Sequence, residues 1–310
     1  MFIPYRVDME LNRTPVLTIA ICVLCVLVFL QQNRSADSIA QAAQAYCAGH
    51  LPRDFLVSVE KVAGTRDAGA CAGILAGIHG SGRADAVIDE LAEDADPWST
   101  KSPAASRAYT AQQLREVYAG FKRQVKPPLT DLLVFDPASR SLWHMVTAAF
   151  AHADWSHLIG NLIFFYAFAS TVEIVIGPLA YPLVVLALAV GTHVFYGLTQ
   201  VLAEQSVPTL GLSGVVMGMI GLFTYLAPQA HIRCFAWFLF FWRVFAIPAW
   251  ILALWYVGLD VWRLLHDAGD SQTNFVAHVS GAVLGFMLGS FFAAQRALVQ
   301  RELRAGGRRR

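Results

Sequence analysis

Six stretches of almost unbroken apolar sequence, at residues 15–30, 157–176, 181–202, 212–226, 248–265 and 275–292, decide what this chain can become. Most approach the ~20 residues that cross a hydrocarbon core as a helix. Inside lipid every backbone amide must be satisfied within its own segment, so the stretches are expected to be helical. The predicted fold is all-α: a polytopic membrane protein with six transmembrane helices. Composition agrees, with 56% hydrophobic and 15% charged residues, more apolar than a soluble domain of this size. The net charge of +1 gives no argument for nucleic acid, and the partner implied is the lipid bilayer.

The stretches divide the chain into four regions. Residues 1–32 form a short lead and the first transmembrane helix. Residues 33–140 form an insert rich in Ala, Asp, Arg and Ser with no spanning run. Residues 141–295 form a membrane core of five further helices, and 296–310 a basic tail. Arg6 and Arg13 before the first run, with small residues at 40–45, also fit a cleaved signal peptide. The run is read as retained, because the remaining spans make better sense with it. Within the insert, 85–95 and 111–125 have the spacing of amphipathic helices, separated by Pro97, Pro103 and Pro127-Pro128. The insert is read as small, mostly helical and extramembrane. Gly177-Pro178 ends one span and starts the next. The stretch 231–244 carries Arg233 and Arg243 among aromatics and is expected to be an interfacial helix.

Six spans place both ends on one side. Arg301, Arg304, Arg308, Arg309 and Arg310 put that side in the cytoplasm, and Arg233 and Arg243 between spans four and five agree. The second, fourth and sixth spans then begin on the outer face, where the insert also lies. In a bacterium that face is the periplasm, so the expected location is the bacterial inner membrane. Cys47 and Cys71 could form a disulfide in such an oxidising space. Cys22 and Cys25, inside the first span, read as small apolar residues rather than a redox pair.

This topology gathers polar residues at one depth. Ser213 opens the fourth span within Gly211-Leu212-Ser213-Gly214, and His278 opens the sixth. His157 and Asn161 lie near the start of the second, one helical turn apart. Polar groups in a span are costly and usually face an interior or an aqueous cavity. Ser213 Oγ needs a base, and His278 is the candidate. Asn161, His157 and the Ser213 backbone N–H could hold a developing oxyanion. Gly211 and Gly214 suit a tight start to the helix with close backbone approach. Each element alone also fits helix packing through small residues, Gly281 and Gly285 included.

Taken together, the residues resemble the rhomboid intramembrane serine proteases. The resemblance runs from about Ser141 to Phe292 through Trp143, Thr147, His152, His157-x-x-x-Asn161, Glu173, Gly177, Gly211-Leu212-Ser213-Gly214 and Ala277-His278-x-x-Gly281-x-x-x-Gly285. It implies a six-helix fold and a Ser–His dyad, with Ser213 as nucleophile, His278 as general base and His157 and Asn161 at the oxyanion. Gly211, Gly214, Met217, His152 and Gly281 would support the site. Substrates would be transmembrane proteins cut in or beside a membrane helix, with no metal or cofactor. Three features depart from the family. His144 follows Trp143 where Arg is frequent. Met217 stands where many members have Tyr. The 33–140 insert is not covered, and is expected to screen or recruit substrates. No carboxylate obviously completes a triad: Glu173 lies toward the other end of the second span, Asp260 is late in the fifth, and Asp154, on the outer side, belongs to the loop near His152, so a dyad is expected.

Rival readings are a transporter lined by these polar groups, an inactive rhomboid-like protein that escorts clients, and a metalloprotease using His144, His152 and His157. The last lacks the His-Glu-x-x-His spacing that supplies two ligands and a base. Trp250, Trp255 and Trp262 on the fifth span read as lipid-facing or interfacial aromatics, with a gate for substrate as the alternative.

Overall fold

The computed structural model describes residues 2–7, 13–98, 100–139, 141–203, 206–238, 241–266 and 273–307. Arg308, Arg309 and Arg310 of the basic tail lie outside the described residues. Two compact units are present: Leu30–Leu132, and Met1–Phe29 together with Leu133–Arg310.

The N-terminal segment forms a strand, β1 (Phe2–Val7), followed by a 32-residue helix, α1 (Val16–Cys47). The helix outlasts its apolar run because residues 31–47 contain no Gly or Pro and many Ala and Gln, which favour helix. Its first turn is capped by a buried carboxylate from elsewhere in the membrane unit. Glu173 accepts from Leu17 N–H (3.0 Å), Thr18 N–H (2.7 Å) and the Thr18 hydroxyl (2.7 Å). The Tyr181 hydroxyl completes the network at 2.8 Å from Thr18 Oγ1. A helix start leaves N–H groups without partners and carries partial positive charge, and one carboxylate answers both.

The Leu30–Leu132 unit holds α2 (Arg53–Ala63), α3 (Ala68–Gly80), α4 (Ala84–Asp94), α5 (Pro103–Lys122) and most of α6 (Leu129–Leu133). Local chemistry sets the boundaries. Gly64, at φ 74°, ends α2 in a conformation that costs a glycine little. Asp67 caps α3 by accepting from Ala70 N–H at 2.7 Å. Ser102 caps α5, with Pro103 in its first turn. Along α5 the buried positions Ser106, Thr110, Leu114, Val117 and Phe121 recur at helical spacing. Leu114, Val117 and Phe121 join Phe55, Val59, Leu75, Ile78 and Ile88 in a core of this unit's own. Cys47 and Cys71 are joined by a disulfide, with Cα atoms 6.0 Å apart.

The other unit continues with α7 (Leu142–Thr147), a 3-10 turn (Ala148–Phe150), α8 (Trp155–Ile176), α9 (Ala180–Leu202) and α10 (Ser213–Leu226). After strands β2 (His231–Phe238) and β3 (Phe241–Pro248) come α11 (Ala249–His266), α12 (Phe275–Gly289) and α13 (Ala293–Gly307). Among the described residues, four stretches are long and apolar enough to cross a membrane: Val16–Cys47, Trp155–Ile176, Ala180–Leu202 and Phe275–Arg301. The 14 residues of α10 form a shorter apolar helix, and α11 has 18 residues. The fold is all-α and polytopic. Leucines such as Leu179, Leu183 and Leu202 stand exposed, as lipid-facing side chains do.

Residues 231–244 are not the interfacial helix expected from sequence. They belong to a three-stranded antiparallel sheet in the order β1-β2-β3. The period along β2 is two: Ile232 and Cys234 are fully buried, while His231 is exposed and Arg233 half-buried. The two arginines fall on different strands, Arg233 opposite Ala246 and Arg243 opposite Ala236. Aromatic and β-branched residues at 235–247 favour a pleated surface.

Candidate active site

Helices α10 and α12 touch backbone to backbone. A Cβ added to Gly281 would collide with the Gly214 carbonyl, one on Gly285 with the Gly218 carbonyl, and one on Gly221 with the Ala282 carbonyl. Only small residues allow such an approach. Helix α9 packs on the same seam, where a Cβ on Gly214 would lie 3.1 Å from Thr192 Oγ1. The Gly214–Gly281 contact fixes the relation of the two polar residues. Ser213 immediately precedes Gly214, and His278 lies one turn before Gly281.

The segments leading into the two helices are also tied. Asn274 caps α12 by accepting from Ala277 N–H (2.9 Å) and donates through Nδ2 to Thr209 Oγ1 (3.0 Å). Thr209 pairs with Phe135 through bonds of 3.0 and 2.9 Å. Gly211 N–H donates to the Ala148 carbonyl at 2.8 Å. At φ 121° Gly211 holds a conformation that L side chains rarely adopt. Its missing side chain matters as much: a Cβ there would lie 2.7 Å from both Cε1 and Nε2 of His157 and 3.9 Å from Asn161 Nδ2. Gly211, two residues before the first residue of α10, therefore packs directly on the His157 ring, with the Asn161 amide close by. Ser213 is the first residue of α10, so its N–H belongs to the donors that no helical carbonyl reaches.

Asn161 is buried, and among the described residues its Nδ2 has no hydrogen-bond acceptor. Leaving a buried donor unpaired costs about 1–3 kcal/mol, so such a donor calls for a partner from outside the protein. His157 is oriented from the other side. Asp154 caps α8 by accepting from His157 N–H (2.9 Å), and Ala153 N–H points at His157 Nδ1 from 3.5 Å. With Nδ1 as the acceptor, the ring proton sits on Nε2, the atom beside Gly211.

His152 is buried with its ring 5.2 Å from that of His157, and Nδ1 donates to the Phe150 carbonyl at 3.2 Å. Burial pushes its imidazole down to about 4, and the neighbouring His157 adds to the effect. His152 is thus a neutral ring that packs behind His157. Met217 is buried one turn after Ser213, and His144 is half-buried in α7. Trp250, Trp255 and Trp262 of α11 are all exposed. Among the described residues no three His, Cys, Asp or Glu side chains gather to hold a metal ion, and His144, His152 and His157 are no exception.

Two findings depart from the sequence reading. No hydrogen bond joins Ser213 Oγ to another described residue, His278 included. And His278 has a carboxylate partner: Nδ1 lies 2.9 Å from Asp260 Oδ2. The sequence reading places Asp260 late in the fifth span and gives His278 no carboxylate partner; this contact supplies one. The signal was available, since α11 and α12 are consecutive and the end of one lies at the depth where the next begins.

Residues 139–295 match the Rhomboid domain family. The chain belongs to the rhomboid family. This rhomboid is similar to Rhomboid protein 1, mitochondrial, of Saccharomyces cerevisiae, at 27% identity over 53% of this chain and 46% of the relative. It is also similar to two Arabidopsis thaliana proteins. One is RHOMBOID-like protein 12, mitochondrial, at 29% identity over 47% and 45% of the two chains. The other is Rhomboid-like protein 11, chloroplastic, at 31% identity over 47% and 51%. The chain spans about half the length of the curated relatives it matches. A rhomboid domain built from these apolar helices makes the protein an integral membrane protein. These relatives are named as mitochondrial and chloroplastic proteins, so they lend no support to a bacterial inner membrane.

Proposed function

We propose that this rhomboid is an intramembrane serine endopeptidase that cuts membrane proteins within or beside a transmembrane helix. The observation that carries the reading is the unpaired, buried Asn161 Nδ2 beside His157 and Gly211, in front of the helix that begins with Ser213. Donors held in a water-poor space with no protein acceptor suit an oxygen that becomes negative during a reaction.

The chemistry follows from the residues. Ser213 Oγ attacks a peptide carbonyl carbon while its proton passes to His278 Nε2. The carbonyl oxygen, now an anion, takes hydrogen bonds from Asn161 Nδ2, His157 Nε2–H and the Ser213 N–H, with the α10 N-terminus adding partial positive charge. The C–N bond then breaks, and the leaving amine collects the proton from His278. Water repeats the sequence on the acyl-enzyme and frees Ser213. Depth fits this substrate class. The 14 residues of α10 rise only about 21 Å, against a hydrocarbon core of about 30 Å. Both ends of α10 cannot reach the two faces, which leaves Ser213 within reach of a membrane-embedded bond. Helix-destabilising residues at that level of a substrate would expose its carbonyls for attack.

The unmade Ser213–His278 hydrogen bond favours a second reading, a rhomboid that binds and escorts membrane clients without cutting them. An alkyl fluorophosphonate separates the two. The protease reading predicts covalent labelling of the wild type and none of Ser213→Ala; wild type left unlabelled under conditions that preserve its fold would support the escort.

A further inference from the structure

We infer that Asp260 is a positioning residue for His278, so that the site operates as a Ser213–His278–Asp260 relay. The inference rests on the reading of Ser213 and His278 as the reacting pair. Asp260 is the single acidic residue of α11, and the buried positions of that helix end at Ala253, two turns earlier. A carboxylate on such an apolar, membrane-level helix is expensive unless a partner justifies it. Among the described residues the polar partner of Asp260 is His278, at 2.9 Å, and each side chain is only 15% exposed. Arg263, one turn along α11, turns elsewhere: its guanidinium lies over the Phe275 ring, 5.8 Å from the centroid. Phe275 in turn meets the His278 ring edge-on, with centroids 6.2 Å apart. The imidazole is held between an aromatic neighbour and the carboxylate.

The chemistry of the contact is directional. An ionised carboxylate can only accept, so the proton of a neutral His278 ring must sit on Nδ1. That leaves the lone pair on Nε2, the nitrogen that has to receive the Ser213 proton. When it does so, the Nδ1 proton stays where it is, and the imidazolium formed faces the Asp260 carboxylate. Asp260 thereby selects the tautomer, sets the ring angle and stabilises the charge that appears during attack. A contact that merely tied α11 to α12 would do none of these.

The test uses the full-length chain with a single-span reporter substrate. Asp260→Asn should lower kcat about 10²-fold while KM stays within about twofold. Asp260→Glu, which keeps the carboxylate, should recover most of that loss. In ¹⁵N-histidine spectra of the unaltered protein, with His278→Ala supplying the assignment, the neutral His278 ring should carry its proton on Nδ1. This measurement stands even if Asp260→Asn folds poorly. The relay is overturned if Asp260→Asn keeps kcat within about threefold, if Asn and Glu variants lose activity equally, or if the neutral His278 ring carries its proton on Nε2. Ser213→Ala assayed in parallel separates the two claims. An inactive Ser213→Ala beside a fully active Asp260→Asn refutes only the relay, whereas an active Ser213→Ala refutes the reading on which it rests.

Discussion

The proposed chemistry makes Asn161 an oxyanion donor rather than a packed amide. If its Nδ2 waits for an oxyanion, Asn161→Ala removes an interaction made only in the transition state. The expected result is a 10²–10³-fold fall in kcat, roughly that of losing one oxyanion donor elsewhere, with unfolding temperature held or raised because a buried unsatisfied group has gone. A lower melting temperature with unchanged kcat would assign Asn161 to packing instead. His152 makes a prediction about pH. Its folded imidazole titrates near 4, below the ordinary histidine value of about 6.5, so between these limits the unfolded chain takes up a proton that the folded one refuses. Stability should therefore fall as pH drops through that window, by at most about 1.4 kcal/mol per pH unit from this group. Melting of wild type and His152→Asn from pH 7 to pH 4.5 would show it: the wild type should lose more on acidification, and parallel curves would contradict the assignment.

Among the elements, α10 and α12 make the contact on which the site depends. Gly285→Val would drive a side chain into the Gly218 carbonyl and force the helices apart two turns beyond His278. Overpacking of this kind costs about 1–3 kcal/mol or more, and here it should also abolish cleavage by separating Ser213 from His278. Retained activity at normal stability would mean that the seam is looser than its geometry. The sequence made these helices legible because small residues at three- and four-residue spacing survive averaging into a pattern. It left the 231–248 hairpin hidden, since arginines ten residues apart among aromatics fit a helix at an interface as readily as two strands. The strand pairing of Phe2–Val7 was hidden for a related reason: its partner lies more than 220 residues away. Asp260 was visible but misjudged. Counting turns from the start of α11 made it look late, whereas late on that helix means level with His278.

For the whole molecule, hydropathy alone was enough to announce a polytopic bundle, because lipid permits few alternatives. What hydropathy could not announce was the independent core of residues 30–132, built on Phe55, Leu75, Leu114 and Phe121, where helix amphipathicity is short-ranged and broken by turns. Nor could spacing show that Glu173, a family-like residue on the second span, spends its carboxylate on the first turn of α1. The central claim is that this arrangement cuts peptide bonds inside a membrane through Ser213 and His278. It is tested most directly by reconstituting the full chain in lipid vesicles with a single-span reporter and following its cleavage by wild type, Ser213→Ala and His278→Ala. Cleavage by the wild type and none above background by either variant is the result predicted; cleavage by either variant at the wild-type rate would contradict it.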